Sequence, residues 1–175
     1  MASSTRMAMS EAARRGPGRP RQTDEETQRI RERIIEATEL TFARDGLRGV
    51  TATRVIEEAG LTRTNFYRYF RGVDEPLRIV LDRFSQDLAR TIAEAVGTVR
   101  PGTRSVVAGI DAYLDWSLRY RHLLPAVMTE AQIATSPVSI RRRQALDAII
   151  SLMSSHYQES GRRAPTRSRL DVFVH

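Results

Sequence analysis

The chain has 175 residues, of which 41% are hydrophobic, and a formal net charge of +7. This length suits one domain, or a small head on a larger body, with enough apolar residues for a core. The absence of cysteine excludes disulfides and cysteine-ligated zinc. Neither a run of 18 apolar residues nor a secretory signal occurs, so we expect a cytoplasmic protein that does not span a membrane. The positive charge suits nucleic acid, a membrane surface or solubility alone equally well.

Residues 1–23 are rich in Ser, Ala, Arg, Gly and Pro and hold five arginines against one glutamate. This composition predicts a disordered basic arm. Gly18-Arg19-Pro20 resembles the core of the AT-hook, in which an arginine enters the narrow minor groove of A·T-rich DNA. Arg19 is therefore a candidate DNA contact. The alternative is a tail that serves only solubility.

The first predicted helix begins at about Asp24 and runs to Asp45, with Gly46 as its end. Thr23 or Asp24 can cap it, and the acids that follow suit the positive end of a helix. Apolar and small residues recur every three or four positions, which indicates one buried face: Ile30, Ile34, Ala37, Thr38, Thr41 and Phe42.

Two short helices follow, and their spacing predicts a helix-turn-helix. The first covers about 52–59, with Thr51 as its N-cap, and the second covers 63–69, capped by Thr62. Gly60 permits the turn between them, and Phe66 anchors the second helix in the core. In this motif the second helix enters the major groove of DNA.

The rest of the chain predicts a helical body. Amphipathic helices are expected at about 74–96, 103–120, 123–134 and 137–157, with a loop at 161–165 and the start of one more helix after it. No strand pattern stands out. We therefore expect an all-α protein with three parts: a disordered basic arm (1–23), a three-helix head that binds DNA (24–72) and an antiparallel helical body for ligand binding and dimerisation (73–175).

The second helix of the predicted motif carries polar side chains suited to reading DNA. Arg63 can form two hydrogen bonds with guanine, Asn65 can do so with adenine, and Thr64 can touch a thymine methyl group. Hydroxyl and guanidinium groups can also hold phosphates, either later on this helix or at the start of the preceding one. The full set of candidate contacts is Thr51, Thr53, Arg63, Thr64, Asn65, Tyr67, Arg68 and Tyr69. The alternative is a hairpin whose polar face is only solvated.

The body carries bulky, mostly apolar side chains of the kind that line pockets between helices. The candidates for a ligand pocket are Tyr113, Trp116, Tyr120, Leu124, Met128, Ile149 and Met153. Ordinary core packing is the alternative for each of them. The three histidines are scattered and no nucleophile lies beside a base, so we expect no metal, no cofactor and no enzymatic activity.

The stretch from Gly60 to Phe70 resembles the signature of the tetracycline-repressor (TetR) family of regulators. The resemblance is gapless over about residues 30–83. It implies a homodimeric repressor that binds a palindromic DNA operator through the residues named above and leaves it when a small effector binds. Two positions differ: the family often has a small residue at Thr64, and commonly lysine at Val73, where Arg71 offers a replacement for the phosphate contact.

The body resembles, far less specifically, the subgroup that includes the ethionamide-resistance regulator, which would favour a long apolar ligand. The resemblance lies in Gly109-Ile110, 131–136 and 161–165. Family members usually continue through two helices that form the dimer interface, and this sequence looks shortened there. The alternative is therefore a truncated member that acts as an interaction protein or decoy without operator binding. A protein that binds only ligand is a further rival.

Overall fold

The computed structural model describes residues 23–159, except for the side chains of His156 and Glu159. Within this range the chain is helical and has no strand, which confirms the all-α prediction. No helix there is long and apolar enough to cross a membrane. The helices are α1 (Asp24–Gly49), α2 (Ala52–Ala59), α3 (Arg63–Tyr69), α4 (Asp74–Gly97), α5 (Thr103–Arg119), α6 (Leu124–Ala131) and α7 (Pro137–Glu159).

The helical backbone breaks at Gly46, where the sequence predicted the end of the first helix, although α1 as a whole continues through one short further turn. The φ of 68° and ψ of −176° at Gly46 interrupt the helical backbone, and a further turn then runs to Gly49. Glycine adopts a positive φ without a steric penalty because it has no Cβ. The Val50 N–H then bonds to the Leu47 carbonyl at 3.2 Å and closes that last turn.

The helix expected at 123–134 is shorter than predicted, since α6 ends at Ala131. At its end, Gln132 and Ile133 donate to carbonyls only three residues back. The hydroxyl of Ser136 accepts a bond from the Val138 N–H at 3.2 Å and donates to Glu130 at 3.3 Å. These bonds turn the chain into α7, which begins at Pro137, where the missing N–H has no helical partner to lose.

One continuous apolar cluster joins the predicted head to the predicted body. Phe42 and Phe66 on the head side belong to the same cluster as Phe84, Trp116 and Leu123 on the body side. A smaller cluster of Ile92, Val96 and Met153 lies farther along α4, where α7 packs against it. The helix-turn-helix is therefore attached to the later helices through shared packing as well as through the backbone.

Polar contacts cross the same junction. The guanidinium of Arg83 on α4 makes two bonds, 2.6 and 2.8 Å long, to the carboxylate of Glu32 on α1. These bonds hold the pKa of Glu32 below its ordinary value. His122, just before α6, lies 2.9 Å from the Glu39 carboxylate on α1. Helix α1 is thus tied to α4 and to the α5–α6 turn at separate points.

Candidate nucleic-acid interface

The turn between α2 and α3 is built on Gly60. Its φ of 59° and ψ of 40° lie in the left-handed region. Its N–H bonds to Glu57, and the next N–H, of Leu61, bonds back to Ile56, which closes the end of α2. A Cβ at this position would also lie 2.8 Å from Nη2 of Arg33. Glycine therefore fixes the direction in which the chain enters α3.

The short helix α3 is held by a cap at its start and an aromatic ring beneath it. The Thr62 hydroxyl accepts the N–H of Asn65 at 3.2 Å. Phe66 is completely buried and Phe70 nearly so. Because α3 has only seven residues, these contacts rather than its own length keep it helical.

Replacing Thr62 with alanine should remove this cap. We expect the free energy of unfolding to fall by about 1 kcal/mol, the usual cost of losing a threonine cap. Urea denaturation followed by circular dichroism measures it. Thr64→Ala is the matched control, because Thr64 is exposed and gives no cap bond, so that variant should keep wild-type stability. Equal losses in both variants would contradict the capping role.

The outward face of α3 is polar and exposed. Arg63, Thr64, Tyr67 and Arg68 lie on one side of the helix, opposite Phe66, and all four are exposed. Asn65 and Tyr69 lie at the edges of that face and are half-buried. The structure thus brings together all six contacts predicted on this helix, and none of the six lies in the core.

Arg63 and Tyr67 contact each other on that face. The Arg63 guanidinium carbon lies 5.6 Å from the centre of the Tyr67 ring, within cation–π range. The Tyr67 ring in turn packs edge-on against buried Phe66, with ring centres 5.2 Å apart. The arginine is therefore supported on a fixed ring at the first turn of α3, where a recognition helix reaches base edges.

Thr51 and Thr53, the candidates on the neighbouring helix, are also exposed. The Thr51 hydroxyl accepts the N–H of Arg54 at 3.4 Å and caps α2, as its sequence position predicted. Arg19, the remaining candidate, lies outside the described residues.

Arg31 on α1 is a supporting residue that sequence reasoning missed. Its Nη1 donates to the Tyr69 carbonyl at 3.0 Å, and its guanidinium lies 4.5 Å from the centre of the Phe70 ring. This single side chain therefore holds the C-terminal end of α3 against α1. The contact joins residues 38 positions apart, and no local pattern in the sequence signals it.

Positive and negative side chains of the head lie in different places. Residues 61–71 hold three arginines and no carboxylate. Two acids elsewhere in the head are paired with arginines outside this segment: Glu58 binds Arg44 at 2.8 Å, and Asp45 binds both Arg44 and Arg54. Hydrogen bonding to Arg44 holds the pKa of Asp45 below its ordinary value. Residues 24–71 contain nine arginines and nine carboxylates, so this region has no net charge but presents a basic segment at α3.

The structure divides the seven residues predicted to line a ligand pocket. Trp116 is buried in the large cluster, with Tyr120 and Leu124 packed against it. Ile149 and Met153 belong to the smaller cluster. Tyr113 and Met128 are exposed. Among residues 23–159 no group of His, Asp and Glu is placed to hold a metal ion.

The aromatic part of this set is compact. The Trp116 ring centre lies 4.6 Å from that of Phe84, 5.1 Å from Tyr120 and 6.0 Å from Tyr113, the last in a stacked arrangement. The indole Nε1 is buried and has no hydrogen-bond partner among residues 23–159. Burial, with a contribution from Asp87, raises the pKa of Tyr120.

Comparison with known proteins gives the family. The family model described as "Bacterial regulatory proteins, tetR family" matches residues 34–75, from the middle of α1 to the start of α4. The HTH-type transcriptional regulator TtgW of Pseudomonas putida is 33% identical over 92 residues, which is 53% of this chain and 69% of TtgW. The chain belongs to the TetR family. TtgW itself is described as uncharacterized.

Two further relatives match a smaller share of their own length. The HTH-type transcriptional regulator SrpR of Pseudomonas putida is 33% identical over 92 residues, covering 53% of this chain and 43% of SrpR. The uncharacterized regulator YfiR of Bacillus subtilis (strain 168) is 29% identical over 96 residues, covering 55% of this chain and 44% of YfiR. The match thus spans less than half the length of these two proteins. All three relatives are named as HTH-type transcriptional regulators.

The fold also matches a solved structure of a regulator. A candidate transcriptional regulator from Pseudomonas aeruginosa PAO1 superposes with a TM-score of 0.58 over 84% of this chain and 74% of its own. The identity is 15%, so this likeness concerns the fold alone. It extends beyond the helix-turn-helix into the body helices.

Proposed function

We propose that this TetR-family chain is a sequence-specific DNA-binding regulator that represses transcription from a palindromic operator. The observation that carries the proposal is the outward polar face of α3, with Arg63 supported on Tyr67. In a homodimer, two such helices would enter successive major grooves, and the symmetry of the operator would mirror that of the protein. The cytoplasmic location is part of the same proposal, because the operator DNA lies there.

In this proposal the three parts of the sequence have separate tasks. The head (24–72) reads the operator, the body (73–175) binds a small apolar effector and the second subunit, and the arm (1–23) adds a minor-groove contact. The effector must bind the released state more tightly than the DNA-bound state, by about 1–3 kcal/mol for a useful switch. The junction between α1, α4 and the α5–α6 turn supports this task, since packing and ion pairs there link the body to the head.

Arg63→Ala should lower affinity for the operator by about 1–3 kcal/mol and relax the choice of base at one position, because a bidentate guanine contact is lost. A gel shift on the DNA upstream of the chain's own gene, beside a random duplex, measures it. Tyr67→Phe is the comparison variant. It removes only a hydroxyl that holds phosphate, so both duplexes should lose affinity alike. If Arg63→Ala weakens both duplexes equally, Arg63 does not read a base.

Arg19→Ala tests the arm. An arginine in the minor groove displaces counterions, so its loss should make the dependence of log K on log salt shallower by about one unit. Fluorescence anisotropy on an A·T-flanked operator fragment at several salt concentrations gives this slope. Arg6→Ala, in the same arm but outside the Gly-Arg-Pro core, should change it less. An unchanged slope for Arg19→Ala would show that this arginine does not touch DNA.

The truncated-member alternative predicts a different solution state. A single head would bind DNA weakly, because one recognition helix offers only one half-site. Light scattering at micromolar concentration separates the two interpretations: a dimer supports the repressor, and a monomer that shows no operator binding supports the interaction protein or decoy. A dimer that does not shift the operator in the gel would support the third interpretation, a protein that binds only ligand.

A further inference from the structure

Helix α5 is apolar on two opposite faces. One face, which includes Ala112 and Trp116, is buried against the neighbouring body helices, chiefly α4. The other carries a stripe at spacings of three, four and four residues, exposed to 51%, 43%, 53% and 69%: Val107, Ile110, Leu114 and Leu118. We call this set the α5 stripe. Isolated exposed leucines are ordinary, but an aligned row along a whole helix marks a docking surface.

The α5 stripe has an acidic edge. Asp111 and Asp115 lie four residues apart beside it, and both are exposed. Neither has an ion-pair partner among the residues that the structure describes. The surface therefore suits an occupant that brings apolar side chains together with positive charge.

A second copy of α5 fits this surface poorly. Four partly exposed aliphatic side chains amount to a few hundred Å², against roughly 800 Å² per partner in a stable interface. Antiparallel pairing of two such helices would also place the acidic edge of one copy beside that of the other, which is repulsive. A small patch of this kind is covered more readily by a segment of the same chain, whose effective concentration is high.

The residues that follow α7 have the matching chemistry. Residues 160–175 contain four arginines (Arg162, Arg163, Arg167 and Arg169) and one aspartate, followed by an apolar group: Leu170, Val172, Phe173 and Val174. Helix α7 delivers this segment to the start of α5, because the Tyr157 hydroxyl donates to the Gly102 carbonyl at 3.1 Å. Sixteen residues span about 24 Å even as a helix, and the α5 stripe is about 16 Å long.

We propose that residues 160–175 pack along the α5 stripe, with their apolar side chains on Leu114 and Leu118 and their arginines beside Asp111 and Asp115. The contact lies within one chain and does not depend on the proposed DNA binding. It gives the body the second layer that the outer face of α5 lacks among residues 23–159.

Cysteine labelling tests this contact in the full chain, which has no cysteine of its own. Leu114→Cys places a thiol in the middle of the α5 stripe, and Leu40→Cys is the matched control on α1, since the two leucines are 53% and 52% exposed. If residues 160–175 cover α5, a polar maleimide should react with the thiol at position 114 about tenfold more slowly than at position 40, and this ratio should not depend on protein concentration.

Further changes in the Leu114→Cys chain identify the occupant. Leu170→Asp with Phe173→Asp should restore fast labelling. Asp111→Arg with Asp115→Arg should do the same, and changing the four arginines to glutamate in that chain should bring the protection back. Circular dichroism confirms that each variant is folded. Equal labelling at positions 114 and 40, protection that grows with concentration, or protection that both sets of changes leave intact would each overturn the proposal.

Discussion

Phe66→Ala is expected to unfold the recognition helix and to abolish operator binding. Phe66 is completely buried and packs against Tyr67 and Phe70, so its loss leaves a cavity under α3. Truncation of a buried phenylalanine costs about 3–5 kcal/mol, a large part of the stability of a domain this size. Urea denaturation gives the loss in stability, and a gel shift gives the loss in DNA binding.

Phe66→Leu is the control for this prediction. Leucine keeps most of the buried volume but not the edge-on contact with the Tyr67 ring, so stability should fall much less than with alanine. If the position of Arg63 depends on a fixed Tyr67 ring, Phe66→Leu should still weaken binding to the operator more than it weakens binding to a random duplex. A Phe66→Ala protein with wild-type operator affinity would contradict the role assigned to this anchor.

Trp116→Ala is expected to give the largest loss of stability in the body, about 3–5 kcal/mol. The indole is 1% exposed and packs against Phe84, Tyr120 and Tyr113 at the junction with the head. Its removal should also loosen the head, because one apolar cluster includes both parts. Thermal denaturation followed by circular dichroism measures the loss.

Trp116→Phe separates the contribution of ring packing to stability from the cost of the buried indole N–H. In the part of the chain that the structure describes, the buried indole N–H has no hydrogen-bond partner, and an unsatisfied buried donor costs about 1–3 kcal/mol. Phenylalanine removes that donor along with some packing, so the two effects oppose each other and the variant should stay close to wild-type stability. A loss as large as that of Trp116→Ala would show that the N–H bond matters and has a partner.

The helix-turn-helix could be predicted closely from sequence because local chemistry determines it. Thr51 and Thr62 cap α2 and α3 through bonds three residues away, and Gly60 supplies the left-handed turn. Each of these signals lies within a few residues of the element it defines. The bounds of both helices therefore agree with the sequence prediction.

Features that depend on contacts between distant residues could not be predicted from the sequence. The break at Gly46 was predicted, but the short turn from Leu47 to Gly49 that continues α1 after it was not. The contact of Arg31 with the end of α3 joins residues far apart in the chain. In the body, periodicity identified bulky apolar residues but could not assign them to one cluster or two, because that depends on how α4, α5 and α7 pack. The ligand pocket therefore stays a prediction.

Selection of DNA from a random duplex pool by the full-length protein tests the central claim most directly. We predict that repeated selection enriches an inverted repeat whose half-sites are centred about one helical turn apart, and that Arg63→Ala degrades the preference at one symmetric position in each half. The claim would be contradicted if the selected sequences contained no inverted repeat and if the wild-type and Arg63→Ala proteins selected the same unrelated sequences.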